Sequence, residues 1–192
     1  MDLIDTPVAS SLRRVQQELD ALLERVVVAE TDALAAFADL IASSPRVFVA
    51  GAGRSGLALR MTAMRLMHLG LSVHVAGEVT APAIQAGDLL LTASGSGATE
   101  GIVRAAQVAT SVGARVAAIT TAPESPLGEL STALIVVPAA GKLDRSGAAS
   151  AQYAGSLFEQ AVVIVGDAVF DALWQRSGAT ADELWPRHAN LE

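Results

Sequence analysis

Hydrophobic positions along this chain follow two rhythms. Near the N-terminus Leu12, Val15, Leu19, Leu22 and Val26 recur at alternating spacings of three and four, which marks one stripe of a helix from about Ser11 to Glu30. Such a stripe needs a partner, either the body of the domain or a second subunit, and it is too short to define a coiled coil. A second helix is expected near Thr31 to Ala42. Beyond it the rhythm changes to short continuous apolar runs at Arg46–Ala50, Ser72–Ala76, Asp88–Ala93, Arg115–Thr120 and Ala133–Pro138. Each has the length and composition of a strand buried on both faces.

Helical patterns at Ser55–Leu69, Thr99–Val112 and Glu124–Leu130 lie between these runs, while Gly77–Gly87 has room only for a turn or a brief helix around Ala81 to Ile84. Ala139–Ala149 gathers Gly, Ala and Ser around Lys142, Asp144 and Arg145 and reads as a linker, with a lid as the alternative. A long helix from about Ser150 to Arg176 follows, then Gly178 and Thr180, a short final helix and a tail. The alternation predicts an α/β fold in which five parallel strands are joined by right-handed crossovers and covered by helices on both faces, with an extra N-terminal helix. The chain divides into N-terminal helices (1–43), a sheet core (44–138) and C-terminal helices with a tail (150–192), all within a single domain.

Composition narrows the function. Of the 192 residues 52% are hydrophobic and only 4% aromatic, so the core is built from Ala, Val, Leu and Ile, and part of the apolar surface is expected to be covered in a homo-oligomer. A net charge of −7 argues against a nucleic-acid or anionic-membrane surface, yet leaves room for a small phosphorylated ligand held in a local donor pocket. There is no cysteine, and His68, His74 and His188 are too scattered to propose a metal, so no metal and no cofactor are expected. The start of the chain does not read as a secretory signal, and the most apolar stretch, Ala161–Val165, is far shorter than the roughly 20 residues that span a bilayer. A cytoplasmic protein with no membrane partner is expected.

Two Gly/Ser-rich loops carry the candidate chemistry. Gly51-Ala52-Gly53-Arg54-Ser55-Gly56 and Ser94-Gly95-Ser96-Gly97-Ala98-Thr99 each follow an apolar run and open onto a helical pattern. Hydroxyls and free N–H groups at a helix start, together with its dipole, favour a phosphate. Gly51, Gly53 and Gly56 also match a G-x-G-x-x-G dinucleotide fingerprint, with Glu78 near the position of a ribose-binding acid. Against that reading stand the hydroxyls of Ser94, Ser96 and Thr99, which a dinucleotide does not need, and a chain too short for a substrate domain. Helix capping is the plainer account of those hydroxyls. Met61, Met64 and Met67 read as core or subunit contacts, and His68 as a packed or interfacial side chain.

The motifs G-A-G-R-S-G at 51–56, M-R-L-M-H-L-G at 64–70, S-G-S-G-A-T at 94–99, G-S-L-F-E-Q at 155–160 and R-H-A-N-L-E at 187–192 resemble the sugar isomerase (SIS) domain family, over nearly the whole chain. The last two resemble more particularly its hexulose-phosphate isomerase group. That resemblance implies a sheet of flavodoxin-like order and a homotetramer or homodimer, with the tetramer favoured. It also implies isomerisation of 3-hexulose 6-phosphate to fructose 6-phosphate in formaldehyde assimilation by the ribulose monophosphate route, coupled to a hexulose-phosphate synthase. Ser55, Ser94, Ser96 and Thr99 would hold the phosphate, Glu159 would be the catalytic carboxylate, and His188 would reach the site from the tail, of the same or a neighbouring subunit. Gly53, Arg54 and Glu78 are expected at the sugar. Ala98 replaces an acidic residue common in the family, with Glu100 two places on and expected to point outward.

The chemistry asks for a base at C2 and donors for an enediolate oxygen. Glu159, in the apolar stretch Leu157–Val165, suits the base because desolvation raises a carboxyl pKa; the alternative puts it on a polar stripe with Gln152, Ser156 and Gln160. Arg54 and Glu78 either face substrate or pair with each other. Two other functions remain on the same residues, a sugar-phosphate sensor without chemistry and a sister isomerase of arabinose 5-phosphate or sedoheptulose 7-phosphate.

Overall fold

The computed structural model describes residues 6–141, 144 and 150–191. Helix α1 (Pro7–Ala42) begins at Thr6, whose hydroxyl accepts the Ala9 N–H, and runs through both helices expected from the sequence. Their boundary survives as a kink: Glu30 has non-helical angles (φ −120°, ψ 17°), and the Thr31 hydroxyl donates back to the Val27 carbonyl at 2.5 Å. A hydroxyl bonded to a carbonyl one turn back bends a helix at that point. The amphipathic stripe packs only in its later part, where Leu22 and Val26 are buried, whereas Leu12 stays 67% exposed.

The five apolar runs become β1 (Val47–Gly51), β2 (Val73–Val75), β3 (Leu89–Ala93), β4 (Arg115–Thr120) and β5 (Ala133–Val136), all parallel in the order β2-β1-β3-β4-β5. This is the flavodoxin-like order. Helices α2 (Gly53–His68), α3 (Glu100–Ser111), α4 (Pro126–Glu129) and α5 (Ser156–Ser177) follow, and α6 (Ala181–Leu184) leads into a 3₁₀ turn at Trp185–Arg187. Val47, Val49, Leu89, Leu91, Ile119 and Ile135 face α1, α2 and α5; Phe48, Leu90, Val116 and Ala118 face Ile102, Ala106 and Leu127 on the other side. Burial on both faces is why these strands read as continuous rather than alternating apolar runs.

Of the two readings of the 77–87 connection the structure has the turn, with no helix. Helix α5 begins at Ser156 rather than Ser150, because residues 150–155 form bends and turns with Ala154 at φ 52°. The expected linker falls partly on residues 142–143 and 145–149, outside the described residues.

At the N-terminal edge of the sheet Arg46 clamps β1 to β3. Its Nε and Nη2 donate to the two Asp88 oxygens at 3.0 and 2.5 Å, and Gln85 adds an N–H at 2.7 Å. The Asp88 side chain is only 3% exposed. The Arg46 bonds hold its carboxyl below the ordinary value, burial opposes them, and the Gln85 N–H adds to the lowering. Folding therefore favours the ionised form: the stabilisation is complete above the unfolded carboxyl's value of about 3.9 and is lost as pH falls through the lower folded value. Asp88→Asn is expected to lower the melting temperature at pH 7 by about 5 °C. The gap between the melting temperatures of the two proteins, followed from pH 7 to pH 3, should narrow once the pH falls below the unfolded carboxyl's value; a constant gap would remove Asp88 from this role.

Candidate functional site

The chain reverses direction across the sheet between β1 and β3, so the crevice outside their carboxyl ends lies between α2 on one face and α3 on the other. Ligands of open α/β sheets bind at such a switch point. Gly51 and Ala93 are register partners, which brings the two Gly/Ser loops side by side.

In the first loop the glycines serve the backbone. Gly53 has φ 58°, a left-handed angle that disfavours side chains, and a Cβ on Gly56 would fall 2.3 Å from the Gly51 carbonyl oxygen. The strand-to-helix contact thus accounts for the G-x-G-x-x-G spacing without a dinucleotide. Arg54 and Ser55 stand in the first turn of α2; Ser55 is half-buried and its hydroxyl has no hydrogen-bond partner among the described residues.

The second loop is gripped from β4. The Gly95 carbonyl accepts the Thr121 N–H at 3.1 Å and the Thr121 and Thr120 hydroxyls at 2.7 and 3.2 Å. The Gly97 carbonyl accepts the Leu127 N–H at 3.0 Å. Inside the loop the buried Ser94 hydroxyl meets that of Thr99 at 3.0 Å, and Thr99, although the cap residue of α3, makes no capping bond with its side chain. Ser96 does make a local bond, accepting the Ala98 N–H at 3.3 Å. Capping therefore does not explain Ser94 and Thr99. Glu100 is exposed, as expected.

Glu159 reaches the crevice from the first turn of α5. The preceding Phe158 lies under the second loop, with its ring 3.5 Å from where a Gly95 Cβ would stand. The Glu159 Oε2 accepts from Arg54 Nε at 2.5 Å, with the side chains 21% and 64% exposed. Glu159 therefore meets a guanidinium and not the apolar wall expected from the sequence; the buried face of this turn belongs to Leu157, Phe158, Ala161 and Val162. Gln160, the next residue, donates to Gln152, which is the polar stripe of the alternative reading.

Two expected residues lie elsewhere. Glu78 pairs with Arg60 at 2.8 Å rather than with Arg54. It lines a cleft of about 480 Å³ with Phe48, Ile84, Leu90 and Arg104, on the α3 face of the sheet. His188 stacks on His68 with ring centroids 4.0 Å apart, beside Trp185 at 4.8 Å. His68 itself is buried, and its pKa is lowered by that burial and by His188 and Arg65. His68 ends α2 and Arg54 begins it, so within one chain His188 is about 21 Å along the helix from Glu159's partner.

Residues 40–163 match the profile of the SIS domain. The chain belongs to the SIS domain family. It is 56% identical over all 192 residues to a 3-hexulose-6-phosphate isomerase of Mycobacterium gastri, covering 89% of that protein. It is 42% identical over 156 residues to one of Bacillus subtilis (strain 168), covering 81% of this chain and 84% of the relative. A solved structure from Methanococcus jannaschii, described as inferring a molecular function of 3-hexulose-6-phosphate isomerase, superposes with a TM-score of 0.82 at 29% identity, over 95% of this chain and 99% of that one.

Sequence reasoning missed Thr120, Thr121 and the Arg54–Glu159 contact. Paired threonines at and just after the end of β4 were a visible signal, since hydroxyls there can bond a neighbouring loop; the ion pair spans 105 residues and had none. In this SIS domain Gly97, with φ 59° and a would-be Cβ 1.8 Å from Ser125 Oγ, locks the second loop against the start of α4. Gly97→Ala is expected to speed hydrogen exchange at residues 94–99 by tenfold or more while β1 and β3 stay protected. Unchanged exchange in the loop would show that Gly97 is not its lock.

Proposed function

We propose that this SIS-domain chain isomerises 3-hexulose 6-phosphate to fructose 6-phosphate. One juxtaposition carries the chemistry: the Glu159 carboxylate, held by Arg54 at the start of α2, follows directly on Phe158, which packs against Gly95 in the loop of the paired Ser94 and Thr99 hydroxyls. The named relative at 56% identity over the full chain supports the choice of sugar.

Ser55, Ser94, Ser96 and Thr99 hold the phosphate, helped by the N–H groups and dipole at the start of α3. The anchored sugar extends toward Glu159. Its carboxylate removes the proton from C2; the electron pair forms the C2=C3 bond, and the C3 carbonyl oxygen becomes the enediolate oxygen. The same carboxyl returns a proton to C3 while the hydroxyl proton passes from O2 to O3, leaving the carbonyl at C2. Arg54 turns its remaining N–H groups to the developing oxyanion, and Gly53 keeps the backbone close. Glu78, paired with Arg60 further along α2 and lining the cleft on the α3 face, takes an outer role at the sugar.

His188 joins the site from a second copy. Leu57, Met61 and Met64 form an exposed stripe along α2, 63%, 51% and 58% accessible. Two α2 helices packed antiparallel through that stripe put the His68–His188 end of one chain beside the Arg54–Glu159 end of the other, which a two-fold axis does twice. Exposed apolar residues at two places on α1, Val8 and Leu12 near its start and Val27 and Val28 further along, suit a second interface and a tetramer. No described helix is long and apolar enough to cross a membrane. We place the enzyme in the cytoplasm, taking its sugar from a hexulose-phosphate synthase.

A coupled assay tests this, with 3-hexulose 6-phosphate generated from formaldehyde and ribulose 5-phosphate and fructose 6-phosphate read out, beside arabinose 5-phosphate. Glu159→Gln is expected to lower kcat by about a thousandfold or more, with inorganic phosphate binding within twofold of wild type; full activity removes Glu159 from the role. Saturable sugar-phosphate binding without turnover by the wild type would favour the sensor. Mixing Glu159→Gln with His188→Asn under exchange of subunits should restore about a quarter of wild-type activity, because half of the random dimers then hold one intact site. No recovery on mixing would place His188 outside a shared site.

A further inference from the structure

Glu18 lies in the first half of α1, outside the residues 40–163 that match the SIS domain. Its carboxylate nevertheless takes hydrogen bonds from three successive residues of the segment before α5. The Ser150 hydroxyl donates to Oε2 at 2.7 Å, the Ala151 N–H to Oε1 at 2.8 Å and Gln152 Nε2 to Oε2 at 3.1 Å. Ser150 is buried, and its oxygen also accepts the Gln152 N–H at 3.0 Å. Gln152 passes the connection on: its Oε1 accepts from Gln160 Nε2 at 2.8 Å. Gln160 adjoins Glu159 in the first turns of α5.

The segment so held contains the one positive-φ residue other than glycine among the described residues, Ala154 at φ 52°. A side chain in that region is disfavoured and persists only where the surroundings impose it. The Glu18 bonds fix the chain on one side of Ala154, and the Gly155–Glu159 backbone bond that opens α5 fixes it on the other. Burial alone would raise the Glu18 pKa, but the bonds from Ser150, Ala151 and Gln152, with Arg14 nearby, outweigh it and hold the group below its ordinary value. The acceptor is thus ionised at neutral pH, as three donors require.

We propose that Glu18 is a positioning residue for the reaction: through Ser150, Gln152 and Gln160 it sets the turn from which α5 starts, and so the aim of the Glu159 carboxylate. This rests on the reading of Glu159 as the base. Anchoring α1 is a separate task, performed by Leu22, Val26, Phe37 and Ile41, each at most 2% exposed. Removing the Glu18 charge therefore leaves the helix docked and loosens only the turn.

The test is steady-state kinetics of the full chain with Glu18→Gln, which keeps the shape but takes away one acceptor oxygen and the charge. The expected result is a kcat about tenfold or more lower, with KM and the dissociation constant for inorganic phosphate within twofold of wild type, because a misaimed carboxylate affects the chemical step and not the anchor. Glu18→Asp should recover part of the loss. In a Glu159→Gln background the same substitution should change the residual rate by less than twofold, since it acts through Glu159. A kcat within twofold of wild type overturns the proposal, and so does a loss that appears equally in phosphate binding or in the Glu159→Gln background. If Glu159→Gln retains full activity, the assignment of the base fails instead, whatever Glu18→Gln does.

Discussion

The contact between Gly51 and Gly56 decides where almost everything else in the site can stand. A Cβ on either residue would lie 2.7 or 2.3 Å from the other's backbone, so α2 can leave β1 this closely only because both side chains are absent. That approach aims the first turn of α2 at the crevice and delivers Arg54 and Ser55 there. It also lays α2 along the inner face of the domain, where α5 crosses it at a second point of near contact, Gly166 against Thr62, with a would-be Cβ 2.1 Å from the threonine oxygen. Two missing side chains at the start and one in the middle thus fix the angle between α2 and α5. Arg54 and Glu159, on different helices and 105 residues apart, meet because of it.

What the sequence could disclose follows from the range over which each feature is determined. Strands buried on both faces must be apolar without interruption, so their places were legible, and β4 at Arg115–Thr120 coincides with its expected run. The break near Glu30 and Thr31 was also legible, although the outcome is a kink within one helix. The start of α5 was not, because Ser150–Gln152 is held by Glu18, more than 130 residues earlier, and no local pattern reports such a bond. The same reason hid the partner of Arg54. Glu78 was a plausible mate from its place after β2, yet Arg60, two turns along α2, reaches it instead.

His188 shows the opposite limit. The tail motif resembled the family well enough to single out this residue, but no rule of pattern or propensity says at which end of α2 a tail will dock. Trp185 and Arg187 decide it: Arg187 donates to the His68 carbonyl at 3.1 Å, the two imidazoles stack on each other, and the indole lies against His188. A residue so placed can come near Glu159 only if helix ends from different copies meet, which makes the exposed methionines of α2 part of the same question as the histidine.

Of the arginine–carboxylate contacts among the described residues, Arg46–Asp88 and Arg54–Glu159 stand at opposite ends of the sheet, and burial separates their duties. Around Asp88, 3% exposed, every oxygen is spoken for and loss of one partner strands a charge away from water; such a pair can only hold structure. Arg54 and Glu159 are 64% and 21% exposed, and contacts of that kind contribute about 0–1 kcal/mol because water competes for both ions. A weak pair is the useful one at a site that must exchange partners. Oxygens of a bound sugar can take over the N–H groups of Arg54 at little cost, and on the proposed reading that exchange leaves the Glu159 carboxylate free to act as the base.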